Sequence, residues 1–141
     1  MPELNFPRHS PELVTQFREL GYWNDDTLTT YIEKWATETP EKIAITSPDR
    51  EITYSEWYNI SLRFANALLD IGLKKGDVIA IQYPNTPEFL FAYIGITMMG
   101  GVMCTLHMPY RKAEMAPLMN HGRTKAVICW EGDEKYNAPE T

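Results

Sequence analysis

Val78-Ile79-Ala80-Ile81, then Thr86-Pro87 running through Phe89, Leu90, Tyr93, Ile94 and Met98 to Gly100-Gly101, then Val102-Met103-Cys104-Thr105: this stretch decides the fold. A short apolar run bounded by turn residues predicts a buried strand. A threonine cap followed by proline predicts a helix start, because proline's missing N–H is not needed at the first helical position. The glycine pair ends the helix, and a second apolar run begins a second strand. After residues 111–120, expected to be helical although Pro117 removes an internal donor, Lys125-Ala126-Val127-Ile128-Cys129 repeats the strand pattern. Strand, helix, strand, helix, strand with short turns predicts an α/β fold: a parallel sheet with flanking helices (βαβαβ).

Upstream of this unit lie a helical arm and a small β-hairpin. Ser10-Pro11 opens the arm and Gly21 closes it; the aromatic pair Tyr22-Trp23 is expected to dock the arm onto a core. Asn24-Asp25-Asp26 is a turn or cap signal for a second helix, where Leu28, Tyr31, Ile32, Trp35 and Ala36 form one apolar stripe, stopped by Pro40. Ile43 to Thr46 and Glu51 to Thr53, joined by Ser47-Pro48-Asp49-Arg50, predict the hairpin. Thr53-Tyr54-Ser55-Glu56 is a capping box, and Trp57, Ile60, Phe64, Ala67, Leu68 and Ile71 give the next helix its apolar stripe up to Gly72. The expected organisation is an arm over 1–26, an α/β subdomain over 27–129, and an acidic loop over 130–141 cut off mid-course.

Composition narrows the class. With 44% apolar and 23% charged residues over 141 positions, the chain can build one folded domain and bury roughly 70% of its unfolded surface. A net charge of −6, with Lys74-Lys75 as the densest basic pair, excludes nucleic acid as the main partner, because phosphate backbones demand clustered cations. The opening residues lack an apolar core and no run of roughly 18 apolar residues occurs, so neither a signal peptide nor a transmembrane segment is expected. Two cysteines suit a reducing, cytoplasmic setting better than a disulfide scaffold.

Each candidate for chemistry meets a structural alternative. Gly95 and Gly100 have the spacing of a phosphate loop, but Gly101-Val102 stands where Lys and Ser or Thr are required, so both are expected to end a helix. No dinucleotide-binding glycine fingerprint follows a strand. Cys104 and His107 make one close pair toward His121 and Cys129, whereas structural zinc sites bring two close pairs; the cysteines are expected to behave as small hydrophobes within strands. Glu88, Glu114 and Asp77 have plain roles as first-turn, solvated or turn residues. His107, at the carboxyl end of a strand where open α/β sheets place ligands, is the residue to inspect first.

The order of motifs from about Tyr22 to Cys129 resembles the adenylate-forming (AMP-dependent) acyl- and aryl-acid ligases, acyl-CoA synthetases included. Gly21-Tyr22-Trp23 with Thr27-Leu28 looks like the arm entering that fold. Ile52-Thr53-Tyr54-Ser55-Glu56 is similar to the family's Thr-Tyr-x-Glu segment, with Trp57 where Leu is usual. Gly72-Leu73-Lys74-Lys75-Gly76-Asp77-Val78 resembles its Gly-hydrophobe-x-x-Gly-Asp-x-Val turn, and Asn85, Glu88-Phe89 and Gly100-Gly101-Val102 continue the series in order.

The resemblance implies the first part of a ligase's N-terminal domain. The parent would use ATP and Mg2+ to turn a small carboxylic acid into an acyl-adenylate, then pass the acyl group to a thiol, usually coenzyme A, in a setting such as fatty-acid metabolism. It also implies that the phosphate loop, the metal site, the ribose-binding acid and the catalytic lysine lie outside residues 1–141. On that basis no catalytic, cofactor-binding or metal residue is assigned here, the fragment alone is expected to be inactive, and its partner is the rest of the parent chain. One segment departs from the pattern: Thr105-Leu106-His107-Met108-Pro109 stands where Pro-Leu-Asn-Pro is usual, so no family role is carried onto His107 or Met108. A self-contained small α/β binding or regulatory domain, flavodoxin-like in outline, remains the alternative. A small NAD-dependent enzyme would lack its fingerprint.

Overall fold

The computed structural model describes residues 9–133 and 136–137. At its centre β3 (Val78–Gln82) lies between β4 (Val102–Thr105) and β5 (Thr124–Cys129), in the order β4-β3-β5. Both pairings are parallel, with Val78 opposite Val102 and Ile79 opposite Ala126. Ile79, Ala80 and Ile81 are at most 1% exposed, as expected of a central parallel strand covered on both faces. Alternation along β3 divides the core. Ile79 packs with Ala65 and Leu68 of α3 (Tyr54–Asp70) and with Ile96 of α4 (Pro87–Met98), whereas Ala80 packs with Leu106 and with Met115 of α5 (Lys112–His121). The crossover helices α4 and α5 therefore cover opposite faces.

The helix α3 begins as its capping box requires: Glu56 N–H donates to Thr53 Oγ1 at 3.2 Å, and Thr53 N–H donates to Glu56 Oε2 at 2.8 Å. Its buried face differs from the expected stripe. Ser61, Ala65 and Leu68 are buried, while Ala67 is exposed and Ile71 keeps 73% of its surface. The reason is the crossing with α4, which selects small residues. Gly95, expected to end a helix, sits inside α4 at that crossing; a Cβ there would lie 2.7 Å from Phe64 Cδ1 and 2.9 Å from the Ser61 carbonyl oxygen. The helix instead ends at Gly100, which takes φ +76°.

The outer elements follow their local signals with three changes. In α1 (Pro11–Glu19) Ser10 Oγ accepts from Leu13 N–H, and Gly21 takes φ +73°. That turn sends the Tyr22 and Trp23 amides back to the Phe17 carbonyl oxygen, at 2.9 and 3.2 Å. Both aromatic rings therefore pack edge-on against Phe17 instead of docking the arm, α1 buries no residue, and Tyr22 stays 72% exposed. The helix α2 (Leu28–Glu38) is capped by Thr27, and of its stripe Ile32 is buried while Leu28, Tyr31 and Trp35 keep 43%, 37% and 38% exposure. The strands β1 (Ile43–Thr46) and β2 (Glu51–Thr53) pair antiparallel, closed by Ser47 N–H donating to the Arg50 carbonyl. Lastly, the expected loop after β5 contains a short antiparallel pair, β6 (Gly132–Asp133) with β7 (Tyr136–Asn137), where Gly132 takes φ +103°; its other residues, 134–135 and 138–141, lie outside the described residues. Among the described residues no helix is long and apolar enough to cross a membrane.

Candidate functional site

With β3 central and the two crossover helices on opposite faces, the strand order reverses between β3 and β5. Open α/β sheets bind ligands at such a switch point, outside the carboxyl ends of the strands. Here that edge is formed by Gln82 at the end of β3 and Tyr83 after it, Leu106 to Tyr110 after β4, and Trp130 and Glu131 after β5. Trp130 N–H donates to the Gln82 carbonyl at 3.0 Å, closing the gap between the two strands. Tyr83 is half-buried, and burial, reinforced by the negative charge of Glu88 and Glu131, pushes its phenol above the ordinary value.

The sequence candidates do not assemble into one centre. His107 is exposed, with its ring 5.7 Å from that of Tyr110. Cys104 is half-buried beside the Ala80, Leu106 and Met115 cluster. Cys129 is exposed, contrary to the expectation of a buried strand hydrophobe, because β5 alternates and α5 leaves its outer face uncovered. What burial remains pushes the Cys129 thiol up, so less thiolate forms at neutral pH. His121 lies in the last turn of α5. Among the described residues no group of three or more His, Cys, Asp or Glu is placed to hold a metal ion.

The carboxylates have local tasks. Asp77 Oδ2 accepts from Lys74 N–H at 2.7 Å, and Glu114 Oε2 accepts from Arg111 N–H at 2.9 Å. Glu88, in the first turn of α4, receives Arg50 from the hairpin turn, whose guanidinium also lies 5.8 Å from the centre of the Phe91 ring. Behind this clasp is an open cavity of about 330 Å³, lined by Ile45, Pro48, Asn85, Phe89 and Leu90 among others. A triphosphate does not fit this end of α4: Pro84 and Pro87 contribute no N–H, and Glu88 puts a negative charge where an anion would sit. Sequence reasoning passed over Gln82, although a lone polar residue closing the apolar run Val78 to Ile81 was its signal.

A parallel β4-β3-β5 sheet entered through an arm, a hairpin and a capped helix defines the class, and the chain belongs to the AMP-binding enzyme family, whose profile matches residues 32–141. A medium-chain fatty-acid–CoA ligase of Escherichia coli is 32% identical over 114 residues, covering 80% of this chain and 20% of that protein. A vibriobactin-specific 2,3-dihydroxybenzoate–AMP ligase of Vibrio cholerae is 29% identical over 117 residues, covering 82% of this chain and 21% of that one. The chain thus spans about a fifth of the length of these relatives. Among solved structures, apo MbtA of Mycobacterium smegmatis superposes with a TM-score of 0.80 at 29% identity, covering 86% of this chain and 23% of that one. The N-terminal subdomain of Klebsiella oxytoca NpsA shares the fold, with a TM-score of 0.70 at 18% identity, over 80% of this chain and 29% of its own.

Proposed function

We propose that this chain is the opening part of the N-terminal domain of an ATP-dependent, AMP-forming carboxylic acid–thiol ligase. The carrying observation is the family match over residues 32–141, combined with relatives named as acid–AMP and acid–CoA ligases. In such a reaction a carboxylate oxygen attacks the α-phosphorus of ATP, giving an acyl-adenylate and pyrophosphate. A thiol, coenzyme A in the reading we favour, then attacks the acyl carbon and AMP leaves. Mg2+ would neutralise the phosphates. The residues of this chain carry neither step; the helical arm, described from residue 9 to 26, and the α/β subdomain (27–129) serve as scaffold, in a protein of the cytoplasm whose partner is the rest of the ligase.

ATP–pyrophosphate exchange with panels of aryl and medium-chain acids tests this reading. The 141-residue chain alone should give none, and exchange should appear when the remainder of the ligase is present. Exchange by the isolated chain would refute the proposal.

A further inference from the structure

Among the described residues the buried polar side chains are Ser61 and Gln82. Gln82 closes the central strand with 1% exposure, and its Nε2 lies 2.7, 3.3 and 2.9 Å from the carbonyl oxygens of His107, Met108 and Tyr110. Its main-chain oxygen accepts from the N–H of Trp130, the residue after β5. One residue therefore joins the carboxyl ends of all three strands. From the other side Arg111 Nη1 donates to the Met108 and Tyr110 carbonyls, each at 3.0 Å. Three carbonyl dipoles converging on one point accept only a donor, which fixes the amide's orientation. In return Gln82 Oε1 is buried with no hydrogen-bond partner among the described residues. Core filling alone is better met by Leu or Met, which carry no polar side-chain atom to bury unpaired.

We propose that Gln82 is a positioning residue: its carboxamide sets the path of residues 106–111 at the carboxyl edge of the sheet, and through them the seat of Arg111 and the start of α5. The consequence for turnover rests on reading the chain as part of a ligase; the clamp itself does not. Hydrogen exchange on the 141-residue chain tests the clamp in wild type, Q82M and Q82E. The Tyr110 amide, which donates to the His107 carbonyl, should exchange about tenfold faster in Q82M than in wild type, with β3 amides much less affected. In Q82E the acceleration, taken against wild type at each pH, should grow as the buried carboxyl ionises. A protonated acid can donate to a carbonyl and a carboxylate cannot.

Equal acceleration across β3, or a Q82E-to-wild-type ratio that is flat between about pH 5 and 8, would overturn the proposal. In the whole ligase, Q82E should show ATP–pyrophosphate exchange that weakens over the same pH interval. A loop that moves with no change in that rate overturns the positioning role in turnover. Absence of exchange in the wild-type ligase overturns the ligase reading instead and leaves the clamp to the amide data.

Discussion

At the scale of single residues, Gly95 and Glu56 show opposite kinds of constraint. Gly95→Ala removes a helix-destabilising glycine, worth about 1 kcal/mol in an open helix. At this crossing the new methyl meets Phe64 Cδ1 at 2.7 Å and the Ser61 carbonyl at 2.9 Å, and backbone cannot rotate away. Overpacking of about 1–3 kcal/mol should win, so the variant is expected to lower the urea midpoint. Glu56 is constrained electrostatically: the Thr53 N–H, and next its hydroxyl, hold its carboxyl below the ordinary value. A carboxyl depressed in the folded state contributes stability above its unfolded pKa and loses it as pH falls through the lower folded value. Between about pH 7 and pH 3 the melting temperature of wild type should therefore fall further than that of Glu56→Gln, which keeps a capping side chain but has no charge to lose. The capping box was readable from four adjacent residues. Gly95 was not, because its neighbour Phe64 belongs to another helix.

At the scale of elements, α5 carries an internal Pro117 and a single buried residue, Met115. Proline removes a backbone donor and clashes with the preceding turn, so Pro117→Ala should raise stability by roughly 1–2 kcal/mol after the looser unfolded chain is counted. Urea titration checks it, and a lower midpoint would mean that the proline itself is needed where α5 packs. The hairpin clasp should be weak, because both Arg50 and Glu88 are more than two-fifths exposed, at 43% and 45%. A double-mutant cycle with Arg50→Ala and Glu88→Ala is expected to give a coupling of about 0.2–1 kcal/mol. Periodicity located α3 but rotated its face, since an amphipathic pattern marks an apolar side without saying which neighbour meets it; α4 settled that by requiring Ser61 and Ala65.

For the whole molecule, the outer faces are incomplete. Leu118 of α5 and Val127 of β5 keep 45% and 38% exposure, and Val102 on the other edge strand keeps 45%. Open edge strands and apolar residues beside them favour association. Leu118→Gln and Val127→Thr should therefore reduce self-association in sedimentation at high concentration, while the urea midpoint moves by less than about 0.5 kcal/mol, the usual range for surface sites. A large loss of stability in either variant would show that these side chains are packed in solution.

The sequence by itself determined the order of the elements from α1 to β5 and the parallel βαβαβ pattern, because glycine stops, apolar periodicity and capping boxes such as that at Thr53 act within one or two turns of chain. It misread two caps, since Thr27 and not Asn24 to Asp26 caps α2, and Thr86 begins α4 without a side-chain cap hydrogen bond. It also carried the family resemblance, which rests on an ordered series of local motifs. Tertiary structure alone decided the crossing at Gly95, the exposure of Cys129 and the convergence of three carbonyls on Gln82. Each of these depends on which distant segment comes within contact distance, and no local preference encodes that meeting.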